Sequence, residues 1–363
     1  MAYTESLLRN GLAVDLRASS ASGRLNRESA ADPPRSYKAS PPPARLHAII
    51  QTHRLPLSRR SPPRDPDSLD NACPKRTEGG SFCEAVEFAC CSGIGAALAV
   101  KTAKYSTNPN IHIVGRSKAS AEKVLAELKA ANKDGQYQFH ECDVSLLSNA
   151  RTLASTLAQQ LPKINLLVLS PGILSMNGRT DTTEGHDVKM VLHYYTRALF
   201  IDSLVPNLKA ATDAKEDARV MSVLDSLRGD YKKVLWDDLE LKKSFTLGNA
   251  AQHCMAFTDV AVQRFARLNP TISFQHSYPS LVATNIGRSL PWYAAAPLTT
   301  LSKVFGSAAE DTAEFFYDAL VNPAMATGPH FVDSKGKEVQ KAESPEDVQE
   351  KIWEHTKSVI EGQ

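Results

Sequence analysis

The chain has 363 residues, 42% of them hydrophobic, and its 42 Lys and Arg against 40 Asp and Glu leave a formal charge of +2. That length holds one large α/β domain, or a domain of about 270 residues with an appendage. No apolar run reaches the ~18 to 20 residues needed to cross a bilayer, which excludes a membrane-spanning chain and leads us to expect a soluble one.

The charge balance hides an asymmetry. Residues 1–80 carry 13 Lys and Arg against 8 Asp and Glu, and the remainder carries 29 against 32. The same 80 residues hold ten of the 21 prolines, in clusters such as Pro41-Pro42-Pro43, and show no sustained periodicity. Such a segment cannot bury enough apolar surface to offset the entropy of ordering it, so residues 1–84 are expected to be a disordered extension. Arg9, Arg17, Arg24 and Arg27 in Ser- and Ala-rich sequence would also fit a transit peptide, but Glu5 and Asp15 oppose that. No aromatic residues interleave with the charges as a nucleic-acid arm requires. The six cysteines, at 73, 83, 90, 91, 142 and 254, form no C-x-x-C pair and no cysteine–histidine group at zinc spacing. Free thiols in a reduced, cytoplasmic setting and no bound metal are expected.

The stretch that organises the rest is Ser92-Gly93-Ile94-Gly95, which runs into an apolar helix and then into Ile111-His112-Ile113-Val114-Gly115-Arg116-Ser117. In a nucleotide-binding βαβ unit, glycines at such a turn let the backbone approach a pyrophosphate, and the new helix holds its charge. A plain tight turn would use the same glycines. The preceding Ala85-Val86-Glu87-Phe88-Ala89-Cys90 is odd, because Glu87 falls where a central strand should be apolar on both faces. This stretch reads as a misjoined segment, with the authentic sequence resuming near Ser92.

Beyond Ile111 the pattern is regular. Ile111–Gly115, Tyr137–Cys142, Ile164–Leu169, Arg219–Val223, Ile272–Tyr278 and Gly328–Val332 read as strands. Ala119–Ala131, Leu147–Leu161, Glu184–Leu208, Asn249–Leu268 and Ala308–Val321 read as helices between them. Alternation at crossover spacing predicts an α/β fold with a doubly wound parallel sheet, Rossmann-like, over residues 85–340. A polar excursion, 228–246, interrupts it. The apolar loop Val282–Phe305 reads equally as a lid over a pocket or as a surface for a neighbouring subunit. Residues 341–363 form an amphipathic closing helix, with Ser344 as its cap and Pro345 at its first position.

These landmarks, in this order, resemble the short-chain dehydrogenase/reductase family, closest to divergent fungal members associated with secondary metabolism. Ser92-Gly93-Ile94-Gly95 is similar to the end of the family's T-G-x-x-x-G-I-G, Ser170-Pro171-Gly172 to its N-x-A-G, and Pro279 to Thr284 to its P-G-x-x-x-T. The resemblance implies an NADP cofactor and a small-molecule substrate. Ser92 to Gly95 would take the pyrophosphate, Arg116 the 2′-phosphate, and Asp143 and Val144 the adenine. Ser170, Pro171 and Gly172 would line the nicotinamide ribose, and Val282 and Thr284 would close on the carboxamide and phosphates. Ala89, Pro171 and Ser280 depart from the family pattern.

The catalytic positions depart further. Family members use Asn, Ser, Tyr and Lys, and the resemblance aligns His193, Asp225, Asn249 and His253 with them in that order. Asn249 and His253 keep the i, i+4 spacing, but an amide cannot donate a proton to an alkoxide. Three readings stay open. One is an NADP-dependent carbonyl reductase or alcohol dehydrogenase with His253 as proton donor, oriented by Asp225. Another is a non-redox enzyme that isomerises, dehydrates or cyclises a metabolite, and the third is an inactive protein of the same fold. The resemblance also implies a homodimer or homotetramer paired through the two long helices.

Overall fold

The structure, a computed structural model, describes residues 84–88, 93–280, 282 and 307–362. The expected extension, Ser92, Thr284 and most of the apolar loop lie outside the described residues. Among the described residues, seven parallel strands form one sheet in the order β3-β2-β1-β4-β5-β6-β7. They are β1 (Glu84–Phe88), β2 (Asn110–Gly115), β3 (Gln136–Glu141), β4 (Leu166–Leu169), β5 (Arg219–Val223), β6 (Ser273–Ser277) and β7 (Gly328–Val332). The predicted α/β doubly wound sheet is therefore present, with its strands where the β-branched and apolar runs end at glycine, proline or serine.

The stretch read as foreign to the fold takes the central place. In β1, Ala85 pairs with Ile111 of β2 on one side and Leu166 of β4 on the other, and Ala85 and Val86 are fully buried. Among the described residues, three helices cover one face of the sheet: α1 (Ile94–Tyr105), α2 (Lys118–Ala131) and α6 (Ala309–Val321). The other face carries α3 (Leu147–Gln160), α4 (Thr196–Asp213), α5 (Leu247–Leu268) and α7 (Glu346–Ile360). Burial on both faces explains why β2 and β4 read as continuous apolar runs, whereas the edge strand β3 alternates.

Two predicted details are corrected. The helix expected over 184–208 begins at Val188 and contains a π turn at Val191–Tyr195 before α4 starts. Glu184 instead lies across the start of α3, where its carboxylate accepts from the Leu147 and Ser148 N–H groups at 2.6 and 2.9 Å. These bonds prevail over burial and hold the Glu184 carboxyl below its usual range. Ser344 does not cap α7: its hydroxyl and N–H both turn to the Gln263 side-chain oxygen on α5, and Pro345 stands at the cap.

The closing helix α7 lies along the two long helices α4 and α5. Trp353 packs edge-on against Phe265 at 5.1 Å and under the Arg264 guanidinium at 4.8 Å. Glu350 takes both Arg264 and Arg267, while His355 and Thr356 bond the hydroxyls of Tyr195 and Tyr194 at 2.8 and 2.7 Å.

Candidate functional site

In a parallel sheet every strand ends at the same edge, and ligands bind where neighbouring crossovers leave to opposite faces. Here that point lies between β1 and β4. Most of the predicted cofactor-side residues that the structure describes fall in the turns after strands, at this carboxyl edge. Gly93 follows β1 with φ 81° and ψ −149°, a conformation that is essentially restricted to glycine. It starts α1, and among the described residues no side chain caps its first-turn N–H groups. Gly95 is buried in that first turn, beside half-buried Ile94.

Arg116 follows β2 and Asp143 lies just beyond β3, and the structure brings them together, with Arg116 Nη1 3.7 Å from Asp143 Oδ2. Asp143 is otherwise engaged by the Ser145 N–H and hydroxyl, while the Arg116 side chain is 54% exposed. Ser117 caps α2 by accepting from the Ser120 N–H, which fixes the turn that presents Arg116. Val144 lies half-buried against the core below Asp143. Val282 is buried and bridges to Ser307.

After β4, the loop Ser170-Pro171-Gly172 is held from two sides. The His193 Nε2 accepts the Ile173 N–H at 3.2 Å, and a Cβ on Gly172 would stand 3.3 Å from that nitrogen. Burial, reinforced by Arg197, pushes His193 down to about 3, so the ring is neutral and Nε2 is an acceptor. The π turn carries this ring to the loop; such turns occur often at functional sites. Arg197, four residues on and 3% exposed, donates to the carbonyls of Leu192, Val223 and Pro171 and to the Ser222 hydroxyl. It clamps the ends of β4 and β5 together. The sequence reading missed it, although an arginine among Leu199, Phe200 and Ile201 on an apolar helix is itself a signal.

The residues of α5 are where sequence and structure part. His253 is fully buried, with Nε2 accepting the Leu235 N–H at 2.9 Å and Nδ1 3.2 Å from the Leu239 carbonyl. Both nitrogens hold the backbone of the 228–246 excursion, so the geometry gives His253 a fastening role in place of proton donation. Burial lowers its pKa, against the opposing pull of the Leu239 carbonyl. Asn249 sits in the first turn of α5, where Nδ2 bonds the Ser244 carbonyl at 2.8 Å. Asp225 remains at the edge after β5. Its Oδ1 accepts the Leu227 N–H at 3.0 Å, and its Oδ2 lies 3.1 Å from Arg228 Nη1 without hydrogen-bond alignment.

A glycine turn after a central strand, an exposed arginine after the next and a clamped loop after the fourth strand are the edge features of a Rossmann-type sheet. Comparison with known proteins narrows this. Residues 85–219 match the family model described as short chain dehydrogenase, so this part of the chain is similar to the short-chain dehydrogenase/reductase family. It is 38% identical over 235 residues to the oxidoreductase AN1596 of Emericella nidulans, covering 64% of this chain and 63% of that protein. It is 37% identical over 193 residues to the oxidoreductase andH of Emericella variicolor, covering 53% and 56%. The chain thus spans about three fifths of the length of these curated relatives. Among solved structures, an alcohol dehydrogenase from Thermococcus sibiricus complexed with 5-hydroxy-NADP superposes with a TM-score of 0.53 at 16% identity, over 73% of this chain and 100% of that one. At that identity the likeness concerns the fold. Among the described residues no helix is long and apolar enough to cross a membrane.

Proposed function

We propose that the chain is an NADP-dependent oxidoreductase acting on a carbonyl or alcohol of a small secondary metabolite. Arg116 carries the reading. An exposed guanidinium at the tip of β2 suits a 2′-phosphate, where an acidic residue would instead suit the ribose of NAD. The positive φ of Gly93 and the uncapped amides of α1 fit a pyrophosphate at the same edge. Asp143 and Val144 would border the adenine, Ser170 to Gly172 the nicotinamide ribose, and Val282 the carboxamide. When bound, the nicotinamide supplies or accepts the hydride.

Fluorescence titration with NADPH and NADH tests this. Arg116→Ala is expected to weaken NADPH binding about tenfold, some 1.4 kcal/mol, and to leave NADH binding nearly unchanged. Equal loss for both would remove Arg116 from 2′-phosphate recognition, and no binding of either would overturn the reading.

A second reading, in which hydride transfer has been given up for isomerisation, dehydration or cyclisation, draws on the state of α5. Neither Asn249 nor His253 offers a proton to the edge. Binding of NADPH without its oxidation across a panel of ketones would favour it. Assembly as a homodimer or homotetramer through the long helices belongs to the proposal, and light scattering on the full chain tests it.

A further inference from the structure

A carbonyl reductase must deliver a proton to the oxygen that becomes the alcohol, and the residues aligned with the family's donor do not. Asn249 bonds Ser244, His253 holds two backbone groups, and neutral His193 uses Nε2 as an acceptor. Another phenol stands at the same edge. Tyr278 follows β6 directly and is half-buried. By alternation it shares a sheet face with Phe274 and His276, which meet Phe265 and Asp259 of α5.

Arg228 lies over the Tyr278 ring, its Cζ 5.4 Å from the centroid, and Nη2 donates to the phenol oxygen at 3.4 Å. An oxygen that accepts from a guanidinium keeps its own hydrogen for another partner. The guanidinium cannot lose its proton, so it stands as a fixed positive charge beside an oxygen able to turn anionic. Arg228 is itself anchored from both sides. Asp225 Oδ2 lies 3.1 Å from Nη1, and the next residue, Gly229, is docked against α5. There the Gly229 carbonyl accepts from Lys341 Nζ, which pairs with Asp259, and Asp259 in turn holds His276 Nδ1 at 2.6 Å. A Cβ on Gly229 would come within 2.1 Å of Asp259 Oδ2 and 2.8 Å of the Met255 carbonyl, so only glycine lets the loop approach this closely.

We propose that Tyr278 is the proton donor of this enzyme, that Arg228 is its positioning residue, and that Asp225 anchors Arg228. The inference rests on the oxidoreductase reading. As the substrate carbonyl is reduced by the hydride of the reduced nicotinamide dinucleotide, its oxygen takes the former π electron pair and the Tyr278 proton. The phenol O–H bond breaks, its electron pair stays on the oxygen beside Arg228, and water returns a proton once the alcohol has left. In the oxidative direction the same phenolate would take the proton of the alcohol.

The test uses the full chain, NADPH and a panel of aromatic aldehydes and 9,10-phenanthrenequinone. Tyr278→Phe is expected to bind NADPH within twofold of wild type while kcat falls about 100-fold. Arg228→Met should lower kcat about tenfold with little change in KM, and Arg228→Lys should restore part of it. Independently of turnover, Tyr278 should be nitrated by tetranitromethane in the free protein and shielded by saturating NADP and aldehyde, as read by mass spectrometry. Unchanged kcat in Tyr278→Phe, or nitration of Tyr278 that ignores both ligands, would overturn the assignment. Failure of wild type to bind NADPH would overturn the oxidoreductase reading itself, and this inference with it.

Discussion

Replacing Arg197 by methionine keeps most of the side chain's length and removes its donors. Arg197 is 3% exposed, and its guanidinium donates to Leu192 O at 3.1 Å, Ser222 Oγ at 2.9 Å, Val223 O at 2.8 Å and Pro171 O at 2.5 Å. Each buried acceptor left without a donor costs about 1–3 kcal/mol, offset where water enters or a second lone pair is already engaged. A net loss of about 3–5 kcal/mol follows, a large share of the roughly 5–15 kcal/mol that holds a domain folded. Arg197→Lys keeps the charge but cannot span two strand ends with one ammonium, and should lose about half as much. Guanidinium chloride unfolding, followed by tryptophan fluorescence, gives the midpoints. Since the clamp also holds Pro171, NADPH affinity in the folded fraction should fall with stability. A methionine variant within 1 kcal/mol of wild type would refute the clamp.

His253→Ala takes the acceptor from the Leu235 N–H and the donor from the Leu239 carbonyl at a fully buried site, so stability should fall by about 3 kcal/mol. Turnover of the folded fraction should stay within threefold; a 100-fold drop in kcat at unchanged stability would make His253 the proton donor after all. Ser280 stands where the family has glycine, and its φ of 59° is left-handed. Ser280→Gly should relieve that strain and stabilise the fold by up to about 1 kcal/mol in thermal unfolding, and a destabilised variant would contradict the strain. His112 and His355, each pushed down to about 4, and His193, to about 3, are kept neutral mainly by burial. The unfolded chain takes up these protons near pH 6.5, so stability should be full above that value and fall towards pH 4, by about 1.4 kcal/mol per pH unit for each histidine. Denaturant midpoints unchanged between pH 7.5 and 5 would contradict it.

The sheet was legible because its strands are written locally. Ile164–Leu169 and Ile111–Gly115 are apolar runs closed by serine, glycine or arginine, and the structure departs from them only at their ends. The helix from Glu184 was misread because its periodicity extends past its true start, and what stops it is distant: Glu184 is drawn off by the amides of Leu147 and Ser148. Ser344 likewise carries the local signature of a cap, yet Gln263 of α5 outbids the helix for its hydroxyl. The i, i+4 spacing of Asn249 and His253 correctly places them on one helix, but spacing says nothing of what covers that helix. Tyr278 and Arg228 are 50 residues apart and meet only because β5 and β6 end side by side.

The excursion 228–246 links these observations. By docking its backbone on His253, and by sending the Ser244 carbonyl to Asn249, it turns the start of α5 into a packing platform. The same segment begins with Arg228 and Gly229, so the contacts that occupy α5 also carry a guanidinium to the ends of β5 and β6. A fold fixes where a carbonyl and a dinucleotide can meet, but the residue that completes the chemistry is whichever side chain reaches that point. The contacts on α5 and the cluster at Tyr278 thus belong to one segment, and the proposed donor at the neighbouring strand end depends on where that segment docks.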